Sequence, residues 1–182
     1  MVVIIAAIAV LLIGGIALAW LEHLIGDVHQ PLHAARMYSP MYPNGDMGGN
    51  AQAIRAGGPP MNLHAYWDDA LGNSDAYTAI AFLADQITGD PQLQPAKIPE
   101  LAKDTTFDSW ANESYEYAIA LVYLNGRLRS VPMQQWQSRE IKEEEVPVLP
   151  PSYAANAHDL AKRRIATAGY RLAEQIKSLL GE

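Results

Sequence analysis

The chain opens with an apolar stretch and only later shows the mixed spacing of amphipathic segments. Residues 1–21 contain no basic side chain, and the first Lys or Arg is Arg36. About 20 apolar residues can span a bilayer core, so this stretch could be a membrane helix. Ala17, Leu18 and Ala19 also form a small-x-small sequence of the kind that is cleaved after a secretory signal. The pattern alone is compatible with both a membrane helix and a secretory signal.

A third interpretation is that the same stretch is a buried core helix that is broken at Gly14 and Gly15. We expect residues 1–15 to be a helix that is separate from a helical domain at 16–182 and packs little on it, whereas the core-helix interpretation requires extensive packing. The signal reading implies a secreted or periplasmic protein, and the anchor reading implies membrane contact by residues 1–20.

Apolar residues beyond this stretch recur at intervals of three and four, which predicts α-helices. Asn62 is a predicted N-cap, and Pro31 should end the first helix because the residue before a proline disfavours helical backbone. Residues 50–54 could be extended. The predicted helices cover residues 16–29, 62–71, 74–87, 109–125 and 152–180. The predicted inward-facing residues are Leu63, Trp67, Leu71, Tyr77, Ile80, Ala84, Ile87, Trp110, Tyr117, Leu121, Leu124, Ile165, Leu172, Ile176 and Leu179. The fold class is therefore all-α.

Composition limits the class of protein, its possible partners and its possible metal ligands. The 182 residues are 49% hydrophobic and 18% charged, which is typical of a globular domain. The net charge of −7 shows no broad basic surface for nucleic acid, although bound metal would add local positive charge. With no cysteine in the chain, any metal must be held by His, Asp or Glu.

The candidate chemistry lies in "HLIGDVHQPLH" at 23–33, and part of its spacing recurs later. His23 and Asp27 are four residues apart, so they share a helix face at about 6 Å. His64 and Asp68 repeat this spacing, and His33 follows the first pair. Catalytic zinc sites use three protein ligands and keep one open position. His33, His64 and Asp68 could form such a set, while His23 and Asp27 would be two ligands of a second, incomplete set.

Three motifs in this order closely resemble the zinc-dependent S1/P1 nucleases. They are "HLIGDVHQPLH", "DMGGN" at 46–50 and "NLHAYWD" at 62–68. "SWANES" at 109–114 and "AGYRLA" at 168–173 are also similar to later helices of that family. The resemblance covers roughly residues 16–182.

This resemblance implies a helical bundle of the phospholipase C/P1 nuclease type. It also implies three zinc ions, and hydrolysis of single-stranded DNA and RNA to 5′-phosphate products, with removal of 3′-phosphates from nucleotides in many members. Carried over by motif, His33, His64 and Asp68 would bind the separate zinc, and His23 and Asp27 the paired zincs. Asp27 would be the bridging carboxylate and is the predicted catalytic residue. Asn50 and Met47 would contact the nucleotide.

The chain departs from the family pattern at its beginning. Members start their mature chain with a zinc-binding Trp, and further His and Asp ligands precede the first HxxxD helix. Trp20 lies only three residues before His23, which leaves no room for those ligands, so the resemblance leads us to expect a truncated, mis-started or internally deleted version of the family pattern. We expect about one zinc per chain instead of three, and slow or no cleavage. No protein partner is predicted.

Two other functions stay open on the sequence. One is a zinc hydrolase of the same fold that acts on phospholipid headgroups, and the other is a non-catalytic zinc-binding helical protein anchored to a membrane. The remaining polar residues have plainer interpretations. His29 is predicted to support the ligands or to face solvent, and His158 to lie at the surface. Lys162, Arg163 and Arg164 are predicted to form a solvated helix face.

Overall fold

The computed structural model describes the backbone of residues 2–181 and the side chains of residues 14–181. The first helix, α1, runs without interruption over Val2–His29, so the predicted start at residue 16 is wrong. Gly14 and Gly15 lie inside α1 and do not break it. The predicted weak packing of residues 1–15 falls mostly on side chains outside the described residues. Among the described residues, no helix is both long and apolar enough to cross a membrane.

The fold is predominantly helical, which confirms the predicted class. The other helices are α2 (Leu63–Asp68), α3 (Tyr77–Gly89), α4 (Glu100–Lys103), α5 (Phe107–Tyr117), α6 (Met133–Gln137) and α7 (Tyr153–Leu180). A 3₁₀ turn at Pro31–His33 follows α1, and a π-helical turn at Ala118–Val122 continues α5. Further 3₁₀ turns lie at Pro95–Lys97 and Glu143–Glu145.

A small antiparallel sheet, which only the possible extended segment at 50–54 had suggested, holds the long connections together. Its order is β2 (Met61–Asn62), β1 (Gln52–Ile54), β3 (Val131–Pro132). Ala53 is the centre of the sheet, since it pairs with Asn62 on one side and with Val131 on the other. β1 is fully buried, and the loop before it approaches the start of α2, where Gly49 lies beside Leu63 and His64.

The core lies where α2, the π-helical turn and the start of α7 meet. Trp67 donates its indole N–H to the Tyr153 hydroxyl at 2.9 Å, and that hydroxyl donates to the Val122 carbonyl at 2.8 Å. The predicted N-cap is confirmed, because the Asn62 side chain accepts from the Ala65 N–H at 2.7 Å. A smaller apolar cluster packs α3 and the following loop against α7.

Two of the predicted inward stripes are wrong. On α3, Tyr77, Ile80 and Ala84 are exposed and only Ile87 is buried. On α7, Ile165 and Leu179 are exposed. The face of α7 that turns inward carries instead the buried side chains of Leu160, Arg164, Ala166, Thr167 and Arg171.

Arg164 was predicted to be solvated, and it is 3% exposed. It joins a set of side chains that we call the buried ion cluster: His29, Glu113, Ser114, Arg164 and Arg171. The Glu113 carboxylate pairs with the guanidinium groups of both arginines, at 2.8 Å for Arg171. A buried charge is stable only when it is paired and hydrogen-bonded, so the sequence could not place Arg164 inside without knowing its partner.

This cluster fixes the carboxyl end of α1. Arg164 donates from Nε to the His29 carbonyl at 3.0 Å, and Ser114 donates to the Val28 carbonyl. The His29 ring lies 2.7 Å from both the Ile25 carbonyl and the Arg171 guanidinium. Burial, followed by the charge of Arg164, lowers the pKa of His29 to about 4. His29 is therefore a neutral, interior histidine and not a surface one.

Candidate metal centre

The five predicted ligand side chains lie together at the carboxyl end of α1. His23 Nε2 is 3.3 Å from Asp27 Oδ2, and Asp27 Oδ1 is 3.5 Å from His33 Nδ1. His33 Nε2 is 3.9 Å from Asp68 Oδ1, and Asp68 Oδ2 is 3.5 Å from His64 Nε2. The result is a continuous chain of alternating imidazole and carboxylate groups, which we call the ligand row.

The geometry singles out three members of the row. One ligand atom each from His33, His64 and Asp68 lies within 4.8 Å of the others. The two imidazole rings are stacked with their centroids 5.0 Å apart. Tetrahedral zinc with bonds near 2.0–2.1 Å needs ligand atoms about 3.3 Å apart, so these atoms would close in by at most about 1.5 Å. Two nitrogens and one carboxylate oxygen are also the donor set that zinc prefers.

A backbone carbonyl fixes the orientation of the His64 ring. Its Nδ1 lies 2.7 Å from the Gly48 oxygen, which can only accept, so Nδ1 carries the proton and Nε2 is left towards Asp68. Metal-bound histidines are commonly oriented by such a hydrogen bond to the second ring nitrogen. The hydrogen bond from His64 to Gly48 is therefore a second feature, besides the three ligand atoms, that fits a metal site.

The loop that supplies this carbonyl is built around Asp46, which is fully buried. Its carboxylate accepts from the Gly48 N–H at 3.2 Å and from the Gly49 N–H at 3.0 Å. The side chains of Gln52 and Tyr123 each donate to it at 2.8 Å. Burial, followed by the contact with Asp46, raises the pKa of Tyr123, so its hydroxyl remains a donor. The Asp46 carboxylate thus fixes the backbone of the loop that contains Gly48 and Gly49.

Glycine is required at Gly48 for two reasons. Its φ is +60°, in the left-handed region, and an added Cβ would lie 2.6 Å from the Leu32 carbonyl oxygen. Met47 shares this backbone region with φ 55° and is 61% exposed. Asn50 is exposed as well, and its side chain donates to the Met47 carbonyl at 3.0 Å. The two predicted nucleotide contacts therefore lie on the same loop that orients His64.

A cavity of about 440 Å³ opens beside the ligand row. Asp27, His33 and Asp68 line one part of it, while Ile165 and Leu172 of α7 line the apolar part. The partly exposed stripe on α7 thus borders this cavity instead of the core.

Sequence reasoning missed several residues that position the site: Gln30, Asp46, Glu113, Arg164 and Arg171. Four of them lie inside the motifs "HLIGDVHQPLH", "DMGGN", "SWANES" and "AGYRLA". Polar residues inside those motifs were the available signal. Their partners are distant in sequence, so only the fold reveals what each one contacts.

Two imidazoles and a carboxylate that converge in a mainly helical fold define a helical protein with a candidate metal site, and comparison with known proteins identifies its family. Residues 14–181 match the S1/P1 Nuclease family. This chain belongs to that family.

Individual relatives match a shorter stretch. Endonuclease 4 of Arabidopsis thaliana is 42% identical over 55 residues, which is 30% of this chain and 16% of that protein. Endonuclease 3 of the same plant is 40% identical over 55 residues, with the same shares. Endonuclease 5 is 40% identical over 58 residues, 32% of this chain and 17% of that protein. The aligned stretch thus spans only about a sixth of each relative.

Proposed function

We propose that this chain is a zinc-binding nuclease of the S1/P1 type that acts on phosphodiester bonds of single-stranded DNA and RNA and leaves 5′-phosphates. Removal of 3′-phosphates from nucleotides is part of the same proposal. The observation that carries it is the convergence of His33, His64 and Asp68 within 4.8 Å. Family membership and relatives that are named endonucleases support it.

The proposal assigns one zinc to His33, His64 and Asp68. A bound zinc would act as a Lewis acid towards a phosphoryl oxygen and would lower the pKa of a bound water. The chain's own residues would do the rest. The Gly48 carbonyl orients His64, and Asp27 keeps an acceptor oxygen beside His33 where a water could be held.

Substrate binding is proposed for the Met47–Asn50 turn. Met47 presents an exposed, polarisable side chain on which a base could pack. Asn50 offers amide groups that can hydrogen-bond to a base edge. Because the Gly48 carbonyl of the same turn holds His64, substrate and metal would be positioned by one rigid element.

The first experiment is metal analysis of the purified protein, followed by zinc titration. We expect about one zinc per chain, from the three-ligand rule for such sites. Asp68→Asn should bind zinc much more weakly, because it removes one of the three ligands. Asp69→Asn is the matched control, since Asp69 is the next exposed acidic residue and lies outside the ligand row.

Cleavage is then measured on single-stranded DNA and RNA with zinc present. His23 and Asp27 supply only two ligands for further zinc, so we expect cleavage that is slow and that requires added zinc. A wild-type protein that binds no zinc would overturn the proposal. Binding of three zincs with rapid cleavage would show that the ligand assignment is wrong.

A zinc hydrolase of the same fold acting on phospholipid headgroups is the second candidate. The apolar wall of Ile165 and Leu172 beside the ligand row favours it. Release of phosphorylated headgroup from phosphatidylcholine vesicles, with no cleavage of single-stranded DNA, would establish this candidate instead. Zinc binding without either activity would support the non-catalytic alternative.

A further inference from the structure

Gln30 lies at the junction between α1 and the 3₁₀ turn, and it contacts residues of both ligand groups. Its backbone N–H donates to the Asp27 carbonyl at 3.0 Å, and its carbonyl accepts from the His33 N–H at 3.1 Å. Its side-chain amide donates from Nε2 to Asp68 Oδ1 at 2.9 Å. Gln30 is therefore hydrogen-bonded to three of the five residues of the ligand row.

The other end of the Gln30 side chain is fixed as well. Oε1 accepts from the Leu32 N–H as the cap of the 3₁₀ turn. This bond determines which end of the amide points away, so Nε2 is directed at Asp68. Gln30 and Asp68 are 38 residues apart in sequence, so this hydrogen bond links the junction next to the His33 turn with the helix that carries Asp68.

We propose that Gln30 is a positioning residue for the metal centre, an inference that rests on the proposed zinc binding. Its amide occupies Oδ1 of Asp68, which leaves Oδ2, the oxygen that faces His64, as the metal ligand. Partners of this kind fix the orientation of a ligand, and their loss typically costs 10- to 100-fold in metal affinity.

The test compares zinc binding by the wild type, Gln30→Met and Gln30→Ala. Methionine keeps the length of the side chain and cannot donate to Asp68. Gln94→Met is the matched control, because Gln94 is also half-buried and donates from Nε2, but to the carbonyls of Thr88 and Asp90. Zinc affinity is measured by competition with a chromophoric chelator. The visible absorption of bound Co²⁺ reports ligand geometry, and thermal unfolding of the metal-free proteins reports stability.

We expect both Gln30 variants to raise the Kd for zinc about 10- to 100-fold and to change the Co²⁺ spectrum. Both metal-free variants should remain folded, with unfolding temperatures lower by a few degrees because the Leu32 N–H loses its cap. Gln94→Met should leave the Kd within about twofold. An unchanged Kd in both Gln30 variants overturns the inference. So does unfolding of both variants without metal, because the role would then be structural. A wild type that binds no zinc overturns the proposed function itself, which keeps the two failures distinct.

Discussion

The carboxyl end of α1 lies between two groups of polar side chains that differ in how fully their hydrogen bonds are used. In the buried ion cluster, Glu113 accepts from both arginines, and both arginines also donate to nearby carbonyls, so that among the described buried side-chain atoms of the cluster Arg171 Nε alone has no hydrogen-bond partner. In the ligand row, the neighbouring atoms are 3.3–3.9 Å apart. Both groups combine charged and imidazole side chains from several elements around the carboxyl end of α1.

The difference shows which group is structural and which has room for a ligand. Glu113 is flanked by two positive charges, so its cluster needs no further cation. The ligand row has two carboxylates, Asp27 and Asp68, among three imidazoles and no arginine or lysine. Its wider spacing and its acidic groups suit an added cation, whereas the closed cluster holds the helix end still.

The largest effect is expected from Glu113→Ala, which would leave two buried arginines without their carboxylate. Breaking a buried ion pair by removing one partner typically costs 3–5 kcal/mol, so the free energy of unfolding should fall by about that much. Urea denaturation followed by circular dichroism measures it. Glu174→Ala is the control, since its side chain is 70% exposed and should change stability by about 1 kcal/mol or less. An equally small effect at Glu113 would contradict the closed cluster.

The next largest effect concerns the ligand row, where added zinc should stabilise the wild type. At a free zinc concentration of 100 times the Kd, the free energy of unfolding should rise by about 2.7 kcal/mol. His64→Ala should abolish this rise, because one of three ligands is gone. Denaturation with zinc and with a chelator separates the two states. Equal stabilisation of wild type and His64→Ala would place the zinc elsewhere.

A smaller effect is expected at the turn that links the ligand row to Asp46. Gly48→Ala should lower the free energy of unfolding by about 1–2 kcal/mol from left-handed backbone alone, and further through the close approach to Leu32. Gly57→Ala is the matched control, with φ +91° and no atom within 4 Å of the added Cβ. Gly48→Ala should also weaken zinc binding through His64. If the two variants behave alike, the turn is not fixed by close approach.

The smallest effect is expected in the pH dependence of the metal-free protein. Burial alone would raise the pKa of Glu113, but the hydrogen bonds and charges of Arg171 and Arg164 outweigh it and hold the pKa below 4.5. The native state then binds this proton less readily than the unfolded state, so the contribution is present above pH 4.5 and is lost as the pH falls through the lowered pKa. Glu113→Gln should show a shallower loss of stability on acidification. Parallel curves for both proteins would contradict this assignment.

Local pattern was sufficient for the elements whose signal is contained in a few neighbouring residues. The predicted Asn62 cap is present, and each HxxxD pair lies on one helix face as predicted, because capping and helical phase are local properties. The stripes of α3 and α7 were misjudged, since apolar spacing identifies a helix face and not what covers that face. Ile165 is exposed beside a cavity, whereas Arg164 next to it is buried.

The helical class, the family and the residue types of the candidate metal site could all be predicted from the sequence, because each depends on short motifs with fixed spacing. The fold was needed to show that His33 lies between Asp27 and Asp68, and that Gln30 hydrogen-bonds to Asp68 on another helix. The fold was also needed to show that Arg164 is buried, because a guanidinium is stable in the interior only when a carboxylate such as that of Glu113 is paired with it. Burial and side-chain geometry depend on partners far away in sequence, 38 residues for Gln30 and Asp68 and 58 for Arg171 and Glu113, and a local pattern carries no information about such partners.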